Sequence, residues 1–158
     1  MICFDRDNNR FNVRIAGVAI NNNKLLLHRL EKDDFWALPG GRNEFHEFSE
    51  KTLIREMQEE INEDIKVERL LWVVEDFFEF DNKNYHEISF YYLMNFINEG
   101  SDIFDEEEFF RMEGDTKIIF RWFELDDLIN IELYPTFIKE KVVNLSNNIE
   151  HIMHIDGQ

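Results

Sequence analysis

Between Leu38 and Glu63 the chain reads LPGGRNEFHEFSEKTLIREMQEEINE, and this stretch constrains the fold most tightly. Pro39-Gly40-Gly41 is a turn signal strong enough to end a strand. Beyond it, Leu53, Ile54, Met57 and Ile61 recur at the spacing of one helix face. Ser49 is the expected N-cap, although Thr52 stands where a full capping box has Glu or Gln. The same helix carries Glu56, Glu59, Glu60 and Glu63, whose spacing gathers four carboxylates on one side.

Such a face is unfavourable alone. Like charges three or four residues apart cost roughly 0.2–0.5 kcal/mol per pair, and three of the four lie in the last turns, where the helix dipole favours cations. With no Lys or Arg read as interleaved there, a divalent cation is the natural counter-charge, and hard oxygen donors suit Mg2+ or Mn2+. The alternative is a solvated acidic face, since Asp and Glu fill 34 of 158 positions. Spacing upstream favours the cation: Gly41 is followed after five residues by Glu47, and Glu47 after seven by Arg55-Glu56-Met57-Gln58-Glu59-Glu60.

That spacing resembles the Nudix box, G-x5-E-x7-R-E-U-x-E-E-x-G-U with U a bulky aliphatic residue. Gly41, Glu47, Arg55, Glu56, Met57, Glu59 and Glu60 match. Asn62 replaces the last glycine and Glu63 the last aliphatic residue. Asn is the next-best left-handed helix cap after Gly, and Ile65 is available to supply the missing apolar group.

Net charge of −17 argues against a nucleic-acid polymer or an anionic membrane as partner. A small phosphorylated substrate, bridged to carboxylates by cations, stays compatible. A single cysteine, Cys3, excludes an intrachain disulfide. MICFDRDNNR has no apolar signal core, and the run Ile88–Ile97 is about half a membrane span, so a cytoplasmic protein is expected. Oligomeric state is not legible; a homodimer is compatible.

In chain order, residues 1–11 read as a short polar arm, followed by strands over Val13–Ile20 and Lys24–Leu30 joined by an Asn21-Asn22-Asn23 turn. A short strand, Phe35–Leu38, delivers the chain to the glycines. After the helix come two long strands, Ile65–Phe80 and Tyr85–Ile97, around the turn Asp81–Asn84. Glu99–Asp115 reads as an acidic surface loop with one helical turn, Thr116–Phe123 as a strand, and Pro135 as the start of a C-terminal helix before a frayed end. The order implies one α/β domain over residues 1–158 with helices packed on a mixed sheet. The resemblance implies the same: a Nudix-type α/β/α sandwich with a loop–helix–loop box.

By that resemblance the protein is a metal-dependent pyrophosphohydrolase, cleaving a nucleoside diphosphate linked to another moiety. Glu56, Glu59 and Glu60 with the Gly40 carbonyl would hold Mg2+ or Mn2+, and Arg55 would orient carboxylates, above all Glu47. The alternative is a catalytically inactive Nudix-fold nucleotide-binding or sensor domain. Candidates for the general base are a box glutamate, Glu87, or Glu106, Glu107 and Glu108. Trp36, Trp72, Phe77, Phe78, Tyr85 and Tyr91 are candidates to stack a base, with core packing as the default. The marks of ADP-ribose, diadenosine-polyphosphate and NADH hydrolases downstream of the box are missing. The substrate class therefore stays open between a nucleoside triphosphate and a nucleotide-sugar or ADP-ribose-like compound.

Overall fold

The computed structural model describes residues 1–156. Ten strands form two sheets: β1 Cys3–Arg6, β2 Asn9–Val18, β3 Ile20–Asn21, β4 Lys24–Leu30, β5 Gly40–Arg42, β6 Ile65–Phe80, β7 Lys83–Phe96, β8 Glu108–Glu113, β9 Thr116–Glu124 and β10 Glu150–Ile155. The helices are α1, Ser49–Ile61, and the single turn α2, Ile138–Lys141. One sheet is mixed, in the order β1-β2-β7-β6-β10, with β5 on the same edge of β2 as β1. Here β2 runs parallel to β7 and β10 parallel to β6, while β6 and β7 form an antiparallel hairpin. The other sheet is antiparallel, β3-β4-β9-β8.

Turn chemistry places the hairpins. Asp81 and Asn82 both adopt positive φ (51° and 59°), as do Asn22 and Asn23 (50° and 62°). Two left-handed residues in succession suit the turn whose twist matches the strands it joins, and short Asn and Asp side chains tolerate it.

Two apolar clusters flank the sheets. Leu53, Met57 and Ile61 of α1 pack on Ile15 and Met94 of the mixed sheet and on Leu26, Phe120 and Trp122 of the other. On the far side Ala16, Trp72, Val74 and Tyr91 meet Leu25, Leu27 and Phe123 beneath Leu133, Ile138 and Val142. Helices thus cover both sides of the sheets, the α/β/α arrangement expected. Each fully buried Leu, Met or Ile contributes about 1.5–3 kcal/mol, so the apolar stripe of α1 fixes the helix without a strong cap. Phe48, not Ser49, occupies the N-cap position and bonds no amide through its side chain. Ser49 is already helical, and its Oγ lies 2.5 Å from the Tyr92 hydroxyl, turned toward the sheet.

Four expectations change. The polar arm is a β-hairpin: β1 pairs with β2, and Ile2 N–H donates to the Asn43 carbonyl at 2.7 Å. The acidic segment is half strand, because β8 adds to the edge of β9 after a helical turn at Asp102–Phe104. Phe35–Leu38 makes only single bridges, Trp36 with Leu133 and Ala37 with His28; the ladder into the glycines is β5. The C-terminal helix shrinks to α2, and the end expected to fray is β10 in the mixed sheet, while residues 157–158 lie outside the described residues.

Candidate active site

Gly40 and Gly41 stand in β5 because side chains do not fit there. A Cβ on Gly40 would lie 2.7 Å from the Ala16 Cα and overlap the Ile15 carbonyl. On Gly41 it would overlap the carboxyl group of Glu56. The strand is thus pressed between β2 and α1, and the turn glycines sit directly against the first carboxylate of the helix.

Arg55 ties the cluster. Its Nε donates to Glu47 Oε2 at 2.9 Å and its Nη2 to Glu47 Oε1 at 3.0 Å, a bidentate pair. Nη1 donates to Glu56 at 2.8 Å and to Glu59 at 3.3 Å. The expectation of a face without a cation is therefore wrong: Arg55 reaches three of the acidic residues, including two of the helix carboxylates, because a long guanidinium spans adjacent turns. Thr52 donates to Glu47 at 2.5 Å, and Asn43 donates to Thr52 at 2.6 Å. Arg55 beside it holds the Glu47 carboxyl down at about 2. Burial pushes Glu56 upward, with Glu60 adding to the rise and Arg55 opposing it.

Glu63 does not share this face. The helix ends at Ile61, and Asn62 takes the left-handed conformation (φ 62°, ψ 41°). Asn62 N–H donates to the Gln58 carbonyl, the single bond of the left-handed αL cap, and Glu63 N–H reaches back to that of Met57 at 3.5 Å. Asn thus does what the missing glycine would do. Glu63 turns away to accept from the Ser101 hydroxyl, and Ile65, 5% exposed, enters the core beside α1. The helix C-terminus gains a cation from elsewhere: Arg111 of β8 donates to the Ile61 carbonyl at 3.3 Å.

Glu60 is 8% exposed, and its Oε2 has no hydrogen-bond partner among the described residues. His28 Nδ1, 3.5 Å away, is likewise unpartnered. A buried carboxylate oxygen without a donor is costly, and a cation answers it. Oxygen donors from Glu56, Glu59 and Glu60, beside glycine backbone and with one guanidinium among them, fit a hard divalent ion.

Two residues near these carboxylates escape sequence reasoning. Glu113, at the end of β8, is pushed upward by burial and by Glu60 and Glu59, with His28 opposing. No local pattern announces either Glu113 or His28; both arrive through the β4-β9-β8 pairing. The other late carboxylates are elsewhere. Glu107 and Glu108 pair with Arg121 at 3.7 and 4.0 Å, and Glu106 is exposed. Glu87 is buried, accepting from Asn12 at 3.0 Å and Ser89 at 2.8 Å. Trp72 and Tyr91 are core residues at 2% and 1% exposure, whereas Phe78 and Tyr85 stack on each other at the sheet surface.

A glycine turn, a short helix and an arginine-tied glutamate cluster, held between two sheets, define the class of Nudix-fold hydrolases. The NUDIX domain family model matches residues 11–143. The chain therefore belongs to the Nudix family, as a hydrolase of phosphoanhydride bonds. Among solved structures it is similar to a MutT NUDIX hydrolase from Burkholderia pseudomallei, at 26% identity and TM-score 0.59, covering 85% of this chain and 98% of that one. It is similar in fold to an ADP-ribose pyrophosphatase from Streptococcus suis (18% identity, TM-score 0.61, 90% of this chain and 98% of that one). A UDP-X diphosphatase gives 21% identity and TM-score 0.63 over 89% of this chain, and this chain spans 66% of that protein's length. Among curated proteins there is no match. No helix among the described residues is long and apolar enough to cross a membrane.

Proposed function

We propose that this protein, acting as one domain, is a divalent-metal-dependent pyrophosphohydrolase that cleaves a nucleoside diphosphate linked to another moiety. The observation that carries the reading is Glu60 Oε2, buried and without a hydrogen-bond partner among the described residues, on the same helix as Glu59 and as Glu56, which lies against the glycine turn. Glu56, Glu59, Glu60 and the Gly40 carbonyl would hold Mg2+ or Mn2+. When bound, such ions neutralise the nonbridging diphosphate oxygens and make water nucleophilic at neutral pH.

The chain's own residues do the rest. Arg55 locks Glu47 through two parallel bonds and limits the freedom of Glu56 and Glu59, so the cluster is preorganised. Thr52 and Asn43 fix Glu47 from the other side, and Asn43 is itself held by the Ile2 amide of the N-terminal segment. We assign Glu113, which faces Glu59 and Glu60 from β8, as the acceptor of the proton from the attacking water. Glu87 and Glu106 to Glu108 are set aside, the first bonded on both oxygens and two of the others paired with Arg121.

The substrate lies between nucleoside triphosphates and nucleotide-sugar or ADP-ribose-like compounds, and two proteins of similar fold, a UDP-X diphosphatase and an ADP-ribose pyrophosphatase, support the second group. The test is incubation with both groups, with Mg2+ and with chelator, followed by chromatography of the products. Release of a nucleoside monophosphate only with Mg2+ is the expected result. Absence of turnover on every compound, with metal binding intact, would replace the enzyme by the binding or sensor reading.

A further inference from the structure

A second polar cluster lies across the mixed sheet from α1. The β6–β7 register sets Asp76 opposite Glu87, and the β6–β10 register sets His154 beside Asp76. Three neighbouring strands therefore present Glu87, Asp76 and His154 in a row on one face. Asp156, just beyond β10, completes the group: its Oδ1 is 2.7 Å from His154 Nε2 and accepts from Thr136 Oγ1 at 2.9 Å. Phe137 packs edge-on against the His154 ring, at 5.2 Å.

Asp76 is the anomaly. It is 1% exposed, and its Oδ1 meets no hydrogen-bond donor among the described residues. Glu87, nearly as buried, has a donor on each oxygen. The same strand face therefore satisfies one carboxylate and leaves its neighbour with an open lone pair. One ligand atom each from Asp76, His154 and Asp156 lies within 4.8 Å of the other two. Tetrahedral ligands at about 2.0–2.2 Å from one ion stand about 3.3–3.6 Å apart, so side-chain shifts of about 1 Å would close the group on an ion. Asp156 also borders a cavity of about 230 Å3 with Phe78 and Tyr85, so the group is not sealed.

We propose that Asp76, His154 and Asp156 form a second divalent-cation site, selective for a nitrogen-accepting ion such as Zn2+. An imidazole with two carboxylates suits zinc and its neighbours in the first row, whereas the all-oxygen set on α1 suits magnesium. Two carboxylates balance the ion's charge, and Thr136 Oγ1, 3.3 Å from His154 Nε2 and bonded to Asp156, orients both ligands from outside. This site does not depend on the function proposed above.

The test is equilibrium dialysis of the full chain against Zn2+, in millimolar Mg2+ to occupy the α1 carboxylates. Wild type is expected to bind one zinc saturably. Asp76→Asn and His154→Gln should each weaken it by at least about tenfold, while His151→Gln, on the opposite face of the same strand, and Glu60→Gln, on α1, stay within about threefold of wild type. With Co2+ as probe, the visible absorption should change in His154→Gln, which reports the nitrogen ligand directly. Circular-dichroism melts confirm that each variant is folded; because His154 lies near the surface, its variant serves if Asp76→Asn misfolds. No saturable zinc binding, or binding untouched by His154→Gln, overturns the proposal. Zinc lost only in Glu60→Gln would place the ion on α1, overturning the second site while leaving the hydrolase reading intact.

Discussion

Gly41→Ala separates the chemistry from the fold. The new methyl would occupy the space of the Glu56 carboxyl group, which is 13% exposed and held by Arg55 at 2.8 Å. The carboxylate must retreat by about 1 Å, and a displacement of that size at a reacting centre costs on the order of a hundredfold. In free energy that is about 2.7 kcal/mol of transition-state stabilisation. Stability should change little, because the group that moves is a flexible chain end whose buried charge is already disfavoured. Gly40→Ala is the contrast. Its methyl meets backbone, the Ala16 Cα at 2.7 Å and the Ile15 carbonyl, so the β2–β5 ladder itself must open. Overpacking of that kind costs about 1–3 kcal/mol, or roughly 2–12 °C in Tm for a domain of this size. The assay is kcat/KM at saturating Mg2+ beside a thermal melt for each variant. Gly41→Ala within threefold of wild-type activity would refute the placement of Glu56 at the chemistry. Equal loss of Tm in both variants would refute the distinction between side-chain and backbone contact.

Three further outcomes follow from the same geometry. Millimolar Mg2+ should raise Tm over chelator, since an ion at 100 times its Kd stabilises by about 2.7 kcal/mol; an unchanged melt counts against the α1 site. Arg55→Lys keeps the charge but loses the fork to Glu47, and should lower kcat/KM by about tenfold or more and stability by about 1–3 kcal/mol; wild-type kinetics would make Arg55 an ordinary surface ion pair. Burial, with Asp156 adding to it, pushes Asp76 up to about 7 from its ordinary 3.8. Its contribution in chelator is therefore full below pH 4 and lost as pH rises through 7. Asp76→Asn, which removes the titration, should be more stable than wild type at pH 8, by an upper bound of about 4 kcal/mol, and lose that advantage toward pH 4. A pH-independent difference in urea unfolding would contradict the burial argument.

What the chain discloses in one dimension is what it builds locally. Within Leu38–Glu63 the helix and the meeting of Arg55 with Glu47 were legible because these residues lie in α1 and the loop before it, and the stop at Asn62 because Asn tolerates the left-handed conformation; the Ser49 cap and the place of Glu63 were not. The β6–β7 hairpin was equally legible from its paired turn residues. β10 was not. Its inward positions are Glu150, Ile152 and His154, while Met153 and Ile155 face solvent at 78% and 51% exposure, so the usual alternation is inverted. Its partner β6 lies 78 residues upstream, in a parallel pairing that no local pattern signals. β8 was hidden by acidity: an edge strand can carry Glu108 outward and Glu113 at its end, toward α1, where sequence suggests a loop. Glu113 and His28 were missed for the same reason, since only sheet pairing brings them to α1. Arg55 was legible as a partner of Glu47 but not as the cation shared by Glu56 and Glu59, which depends on rotamers rather than spacing.

The most direct measurement compares Glu60→Gln with Glu50→Gln at saturating Mg2+, on whichever nucleoside diphosphate compound turns over. Both remove one negative charge from the same helix, but Glu60 is buried with an oxygen that has no hydrogen-bond partner among the described residues, and Glu50 sits exposed in the first turn. The account predicts that Glu60→Gln loses at least about tenfold in kcat/KM, about 1.4 kcal/mol, with a metal-free Tm at or above wild type, and that Glu50→Gln stays near wild type. Equal activity in the two variants would contradict it.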